Sequence, residues 1–289
     1  MFVKRSAAFV IIALTVFACL AGNASAQLPG TIKEVEQPTG SLGKVDWTTG
    51  VITAVGIGAP PAQPANAVQA RVMTERAAQV VAYRNLLEAV KGVRVDSTTT
   101  VENFINTSDV IRTDVSGIIQ GATIMDKKYM SDGSVEVTIG MKLTGALADD
   151  LLPKAPPTPP TPLTGLTGTL TPASPGQLYT GLIVDARGLG VKPAMAPKIL
   201  NEDGKEVYGS AWINRDYAVR EGMVGYLKDP VQAKTNPRVT DKPLMVKALK
   251  VAGDARVDML ITNADAAMLH SASENLNMLQ NCKVIILVD

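Results

Sequence analysis

The apolar pattern along this chain changes period several times, and each change marks an element. Val45-Asp46-Trp47, a Thr49-Gly50 turn and Val51 to Gly58 read as two strands joined by a short turn, a hairpin that the Pro60-Pro61 pair ends. From Asn66 to Lys91 the period becomes helical. Val72, Val80, Tyr83, Leu87 and Val90 fall on one face, with Ala78, Ala82 and Ala89 as a flatter stripe beside it and Gly92 as the stop. Val93-Arg94-Val95 and Thr98 to Val101 lean towards strand, and Asp109 to Val115 reads as a short helix. An apolar stretch from Ile118 to Met125, the Ser131-Asp132-Gly133 turn and Val135 to Met141 predict a second hairpin. A long helix on an antiparallel sheet is an α+β arrangement.

Between Pro153 and Pro175 prolines 156, 157, 159, 160, 162 and 172 alternate with threonine, glycine and leucine. So many missing backbone donors bias the segment to polyproline II, so residues 151–176 read as a semi-rigid linker. Beyond it, residues 177–289 predict a second, α/β domain. Leu182 to Ala186 is a strand, and Lys198-Ile199-Leu200 turns through Asp203-Gly204 into Glu206-Val207-Tyr208. Leu244 to Val251 and Val257 to Ile261 read as strands. Thr262 or Asn263 then caps a helix from Ala264 to Leu279, with Leu269, Ala272, Leu276 and Leu279 on one face. The unbroken Val284 to Val288 is a buried last strand. Strand, helix and strand make a right-handed parallel crossover the expected closing unit.

The first residues add a different signal. Lys4 and Arg5 precede the apolar stretch Ser6 to Ala21, and Ala24-Ser25-Ala26 supplies a small-residue cleavage site. The apolar run is shorter than the ~20 residues of a spanning helix. Residues 1–26 therefore read as a signal peptide, leaving residues 27–150 as the first domain and a mature chain that starts at Gln27. A lipoprotein reading would use Cys19 after Val16-Phe17-Ala18. Bulky Phe17 and the absence of leucine at position 16 disfavour it. After cleavage Cys282 is the single cysteine, read as a small buried hydrophobe rather than a reactive thiol.

Charge removes one class of partner. Loss of Lys4 and Arg5 takes 28 basic and 27 acidic groups to 26 and 27, which gives no electrostatic reason to bind nucleic acid.

Candidate chemistry is sparse. Gly188-Leu189-Gly190 follows a strand but lacks the third glycine of a dinucleotide fingerprint, and Pro193 and Pro197 fall where its helix would run, so it reads as a turn. His270 is the single histidine, which rules out a His-based metal cluster within one chain and reads as a surface or partly buried residue. Ser271 and Ser273 beside it lack the strand-to-helix elbow of a nucleophile. Asp149-Asp150, at the linker edge, and Glu202-Asp203, in a hairpin turn, read as solvated turn residues without calcium-loop spacing. No catalytic residue, cofactor site or metal site is assigned.

Within Ala65 to Leu143 and the strand before it, the order of features resembles the bacterial Lpp-twenty lipoprotein family, which is related to the flagellar envelope proteins FlgP and, through its N-terminal domain, FlgT. The resemblance lies in Ala54-Val55-Gly56-Ile57-Gly58 before an Ala-rich helix that holds Arg76-Ala77-Ala78 and Tyr83-Arg84-Asn85-Leu86-Leu87. Val93-Arg94-Val95, Gly117-Ile118-Ile119-Gln120-Gly121 and the pair around Asp132-Gly133 ending in Val135-Glu136-Val137 complete it. It covers roughly 100 residues and no catalytic signature. It implies a non-catalytic structural or assembly protein of the periplasm or outer membrane. Its partners would be other envelope proteins and further copies of itself, with an association to the flagellum as one version. The alternative from the residues is a periplasmic module that holds a small ligand or glycan in a cleft between the domains.

Overall fold

A computed structural model describes residues 33–153 and 178–289 of the chain. The expected signal peptide, Cys19 and most of the proline-rich linker lie outside the described residues.

In the N-terminal lobe, β1 (Glu36–Thr39), β2 (Gly43–Asp46) and β3 (Val51–Gly58) precede a 25-residue helix, α1 (Ala67–Lys91). Two shorter helices follow, α2 (Val101–Thr107) and α3 (Asp109–Gln120), then β4 (Thr123–Tyr129), β5 (Val135–Lys142) and α4 (Ala146–Leu151). The five strands form one antiparallel sheet in the order β1-β2-β3-β5-β4. Both expected hairpins are present, and their turns use Gly50 at φ +67° and Gly133 at φ +81°, where a side chain would be strained.

The helix α1 lies across the sheet, but on the neighbouring face to the one its large residues suggest. Thr74, Ala78, Ala82, Leu86, Ala89 and Val90 are buried, whereas Val72 and Val80 are 55% and 47% exposed. The reason is the distance of approach. A Cβ at Gly56 would collide with the backbone of Ala78 and Ala82, and one at Gly58 with that of Thr74 and Ala78. Two bare strand positions let the helix backbone settle directly on β3, and only alanine-sized side chains fit between. Asn66 caps the helix by accepting from the Gln69 amide at 2.8 Å.

Two further expectations change here. The α3 helix runs on to Gln120, so Ile118 and Ile119 are helical rather than the start of a strand, and β4 begins at Thr123. Asp149 sits in α4 rather than in a linker edge, and Leu151 and Leu152 beside it are buried.

The C-terminal lobe holds β6 (Gly181–Asp185), β7 (Ile199–Leu200), β8 (Glu206–Tyr208), α5 (Arg215–Glu221), β9 (Gly225–Leu227) and α6 (Pro230–Lys234). It continues with β10 (Pro243–Lys247), β11 (Lys250–Ala252), β12 (Asp258–Leu260), α7 (Asn263–His270), α8 (Ser273–Gln280) and β13 (Val284–Leu287). A parallel sheet, β10-β6-β13-β9, has its two central strands buried almost throughout, as strands covered on both faces must be. A mixed sheet, β11-β12-β7-β8, contains the expected Asp203-Gly204 hairpin.

The closing unit differs from a simple crossover, because β12 belongs to the mixed sheet and β13 to the parallel one. The strand expected over Leu244 to Val251 likewise splits into β10 and β11, one in each sheet. The helix expected from Ala264 to Leu279 is two. Ser271 turns its hydroxyl back onto the Met268 carbonyl at 2.7 Å, and Ala272 is extended at φ −133° before α8 starts.

The fold is thus α+β: a long helix on a five-stranded antiparallel sheet, followed by an α/β region. The described residues of both lobes belong to one compact unit. Met195 and Ala196 amides donate to the Arg94 and Val95 carbonyls at 3.1 and 2.7 Å, and Gly145 donates to Val219 at 2.7 Å. Arg215 reaches across to Asp149, at 3.2 Å to its carboxylate, and to the Leu152 carbonyl at 3.2 Å.

Candidate functional site

Where the lobes meet, a cavity of about 180 Å³ opens beside the first strand residues of β9. One water needs roughly 10–15 Å³ by this measure, so the space suits a small molecule rather than a single bridging water. A more open depression of about 580 Å³ adjoins it, and the two share Glu221, Asn236 and Arg238.

The N-terminal lobe contributes Trp47, the β2–β3 turn, Thr144, Ala148 and Leu152. Asp46 fixes the turn by accepting the Thr48 amide at 2.8 Å, and the Trp47 indole donates to Gln37 at 3.0 Å. These two bonds set the angle at which Trp47 faces the other lobe. There it meets Tyr226 in an edge-to-face contact, and the Tyr226 hydroxyl donates to the Ala194 carbonyl at 3.0 Å and accepts its amide at 3.1 Å.

The polar part comes from the C-terminal lobe. Asn236 accepts the Arg238 amide at 2.9 Å, which shapes the turn that presents the guanidinium. One Arg238 terminal nitrogen donates to the carbonyls of Gly222, at 3.1 Å, and Cys282, at 2.8 Å. The other donates to the Glu221 carbonyl. Arg238 thereby ties the end of α5 to the turn before β13, two segments far apart in sequence.

Cys282 lies behind this arginine, fully buried with a left-handed φ of +55°. Burial pushes its thiol up to about 11, against the opposing pull of the Tyr208 hydroxyl and the Arg238 charge. A thiol that stays protonated at neutral pH is no nucleophile, in accord with its reading as a small hydrophobe.

The residues considered from sequence lie elsewhere and apart. Gly188 and Gly190 adopt φ of +78° and +61° and their amides donate to the Asp289 carboxylate at 2.7 and 3.3 Å. The loop is a turn whose two inward amides are taken by a side chain of the chain itself. His270 is 3% exposed, deeper than its sequence reading as a surface or partly buried residue. Its Nε2 lies 2.9 Å from the Val207 carbonyl and its ring 4.4 Å from that of Trp212. Burial lowers its pKa, with the Val207 contact opposing.

Ser271 and Ser273 make only local bonds, to Met268 and Glu274. Asp149 pairs with Arg215, while Asp150 has its pKa raised, first by burial and then by Asp114 and Asp149. Glu202 accepts the Asn263 amide at 2.8 Å and Asp203 the Asn263 side chain at 3.3 Å, so this pair pins the β7–β8 turn to the start of α7. Among the described residues no group of three or more His, Cys, Asp or Glu side chains is placed to hold a metal ion.

Trp47, Glu221, Asn236 and Arg238 carry no motif spacing that marks them in the sequence as site residues. A cation between a proline and a valine at Arg238 gives no cue that the fold will set it against Trp47.

Residues 181–289 match a family model described as Treponema pallidum Tp0624, second domain. The match starts at the first residue of β6 and runs through β13, less than half of the chain. It covers the lobe that contributes Glu221, Asn236, Arg238 and Tyr226. No curated protein matches the chain.

Proposed function

We propose that this protein is a non-catalytic structural or assembly component of the bacterial cell envelope, exported to the periplasm or outer membrane and acting through protein contacts. Export rests on the sequence of the first 26 residues. No helix among the described residues is long and apolar enough to cross a membrane. The observation that supports contact-making is where apolar surface is left open. Of sixteen large apolar residues exposed among the described ones, eleven belong to the N-terminal lobe, although the two lobes are of similar length. They include Val68, Val72 and Val80 on the outer side of α1 and Ile57 and Met125 on the open face of the sheet. Apolar surface left open on one lobe, here on the outer side of its helix and on the open face of its sheet, supports contact-making there, and this is the lobe with the likeness to the Lpp-twenty family.

The edge strand β4 is not the contact expected. A bulge interrupts its pairing after Ile124, and Lys127 and Lys128 lie along it, two devices that blunt strand-to-strand addition. Crosslinking in the intact envelope should capture multimers or envelope partners, and Val72→Glu with Val80→Glu should abolish capture without loss of folding. A chain that remains monomeric and uncrosslinked in its native envelope overturns this reading. Intact mass of the native protein tests export, with a chain starting at Gln27 expected and an uncleaved chain contradicting it.

One observation favours a second reading, the binding module: the lobes enclose a cavity lined by aromatic, apolar and charged groups, as small-molecule sites are.

A further inference from the structure

We infer that the cavity between the lobes binds a small zwitterion of the amino-acid type, its carboxylate on Arg238 and its ammonium group towards Glu221. The inference goes beyond the assembly reading and does not depend on it.

The argument starts from the donors of Arg238. A guanidinium carries five N–H groups, and three are taken by the carbonyls of Gly222, Cys282 and Glu221. The Nε proton and one Nη2 proton remain without an acceptor among the described residues. None of the ion pairs among those residues includes Arg238. Three carbonyls hold the fork still while leaving its charge uncompensated. Nε and Nη2 share one edge of the guanidinium, the side-by-side arrangement that takes both oxygens of a carboxylate.

The space beside that edge is kept open by a glycine. Gly225 opens β9 with no left-handed φ to require it, yet a Cβ there would stand 3.2 Å from Arg238 Nε. Glycine inside a strand weakens it, and one recurring reason for its presence is close approach of a ligand. Here the bare position clears the way to the unspent donor.

Glu221 supplies the opposite charge. Its backbone carbonyl is taken by Arg238, but its carboxylate forms no ion pair among the described residues, and it lines both the cavity and the adjoining depression. One fixed cation and one unpaired carboxylate beside a small cavity match a molecule that carries both charges. Ala148, Leu152 and Met223 line the same space and suit an apolar side chain. A simple dicarboxylate would meet Glu221 unfavourably, and a neutral sugar would leave Arg238 without its counter-charge.

The test uses the mature full-length chain, with leucine, N-acetyl-leucine and leucinamide as probes in thermal-shift and calorimetric titrations. Leucine should raise Tm, and each blocked analogue should bind at least about tenfold more weakly. Glu221→Gln, at an exposed position, should weaken leucine while leaving N-acetyl-leucine unchanged. Gly225→Ala should weaken both by crowding Nε. No binding by any probe, or equal binding of leucine and N-acetyl-leucine with Glu221→Gln without effect, overturns the inference. Arg238→Lys keeps the charge without the fork. Should it fail to fold, the panel and Glu221→Gln still decide. A chain that assembles yet takes no probe overturns this inference alone, whereas one that binds leucine but makes no contacts in the envelope overturns only the assembly reading.

Discussion

The indole of Trp47, just past the end of β2, meets the ring of Tyr226 in β9 edge-on, with 5.7 Å between centroids and 73° between planes. Each is nearly buried, and each is anchored within its own lobe, Trp47 through Gln37 and Tyr226 through Ala194. The pair is therefore a joint between lobes built from two independently held rings. Trp47→Ala should destabilise the whole chain by ~3–5 kcal/mol. A double-mutant cycle with Tyr226→Leu should return ~0.5–1.5 kcal/mol of coupling. Additive effects in denaturant unfolding would show that the rings touch without acting together.

The close seat of α1 on β3 gives a prediction of opposite signs for one kind of change. Gly56→Ala puts a methyl group into the backbone of Ala78 and Ala82 and should unfold the lobe or cost well over the ~1–3 kcal/mol of ordinary overpacking. Gly117→Ala, in the exposed middle of α3 with nothing within 4 Å, should stabilise by ~0.5–1 kcal/mol. Equal small effects at both positions would place the helix further from the sheet.

The same contact shows what the sequence did and did not make legible. Both N-terminal hairpins and the Asp203-Gly204 hairpin were readable, because glycine at a left-handed turn leaves a local mark. So was α1, bounded by Asn66. Its facing is not legible, since hydrophobicity ranks Val72 and Val80 above Ala78 and Ala82, whereas the glycines of β3 select the smaller residues. The division of β10 from β11 and of α7 from α8 depends on which sheet each segment joins, a tertiary matter with no local signal. A cleft between the halves is among the sequence expectations, but the residues that line the candidate site are not legible. Trp47, Glu221, Arg238 and Cys282 sit in turns and at a helix end contributed by both lobes, and no spacing links them.

The phase of α1 is open to direct measurement. Leu86 is fully buried and Leu87 only partly so. Leu86→Ala should cost ~2–5 kcal/mol, from lost burial and the cavity it leaves. Val80→Ala, on the exposed side, should stay within about 0.5 kcal/mol. Unfolding curves with the reverse ranking would restore the face first suggested by the large residues.

His270 links stability to pH. Burial lowers its folded pKa below the ordinary 6.5. Above pH 6.5 the ring is neutral whether the chain is folded or not, and its contribution is fully present. As pH falls below that value the unfolded chain takes up the proton first, so stability declines until the folded pKa is reached. Each unit of difference is worth about 1.4 kcal/mol. His270→Gln should be less stable at neutral pH through its altered core contacts, but flatter in stability between 6.5 and the acid limb. A variant that keeps the wild-type slope there would move the pH dependence to another group.

The contacts between lobes bear on whether the halves are separate domains. The Arg94 and Val95 carbonyls accept the Met195 and Ala196 amides, the Gly145 amide donates to the Val219 carbonyl, and Arg215 holds both Asp149 and Leu152. One buried apolar cluster includes residues from Val35 through to Val288. Cutting the chain leaves these bonds in place but removes the covalent link, so association then depends on concentration. Co-expression of residues 27–153 and 178–289 as two chains should give a complex that co-elutes on size exclusion. Arg215→Ala together with Trp47→Ala should separate it, because the first frees the α4 carbonyls and carboxylate and the second removes the ring joint. Each half expressed alone should expose the apolar surface the other covers, and bind a hydrophobic dye that the complex does not. If the halves instead elute apart, both folded and both dye-negative, the lobes are independent domains, and the cavity exists only while the intact chain holds them together.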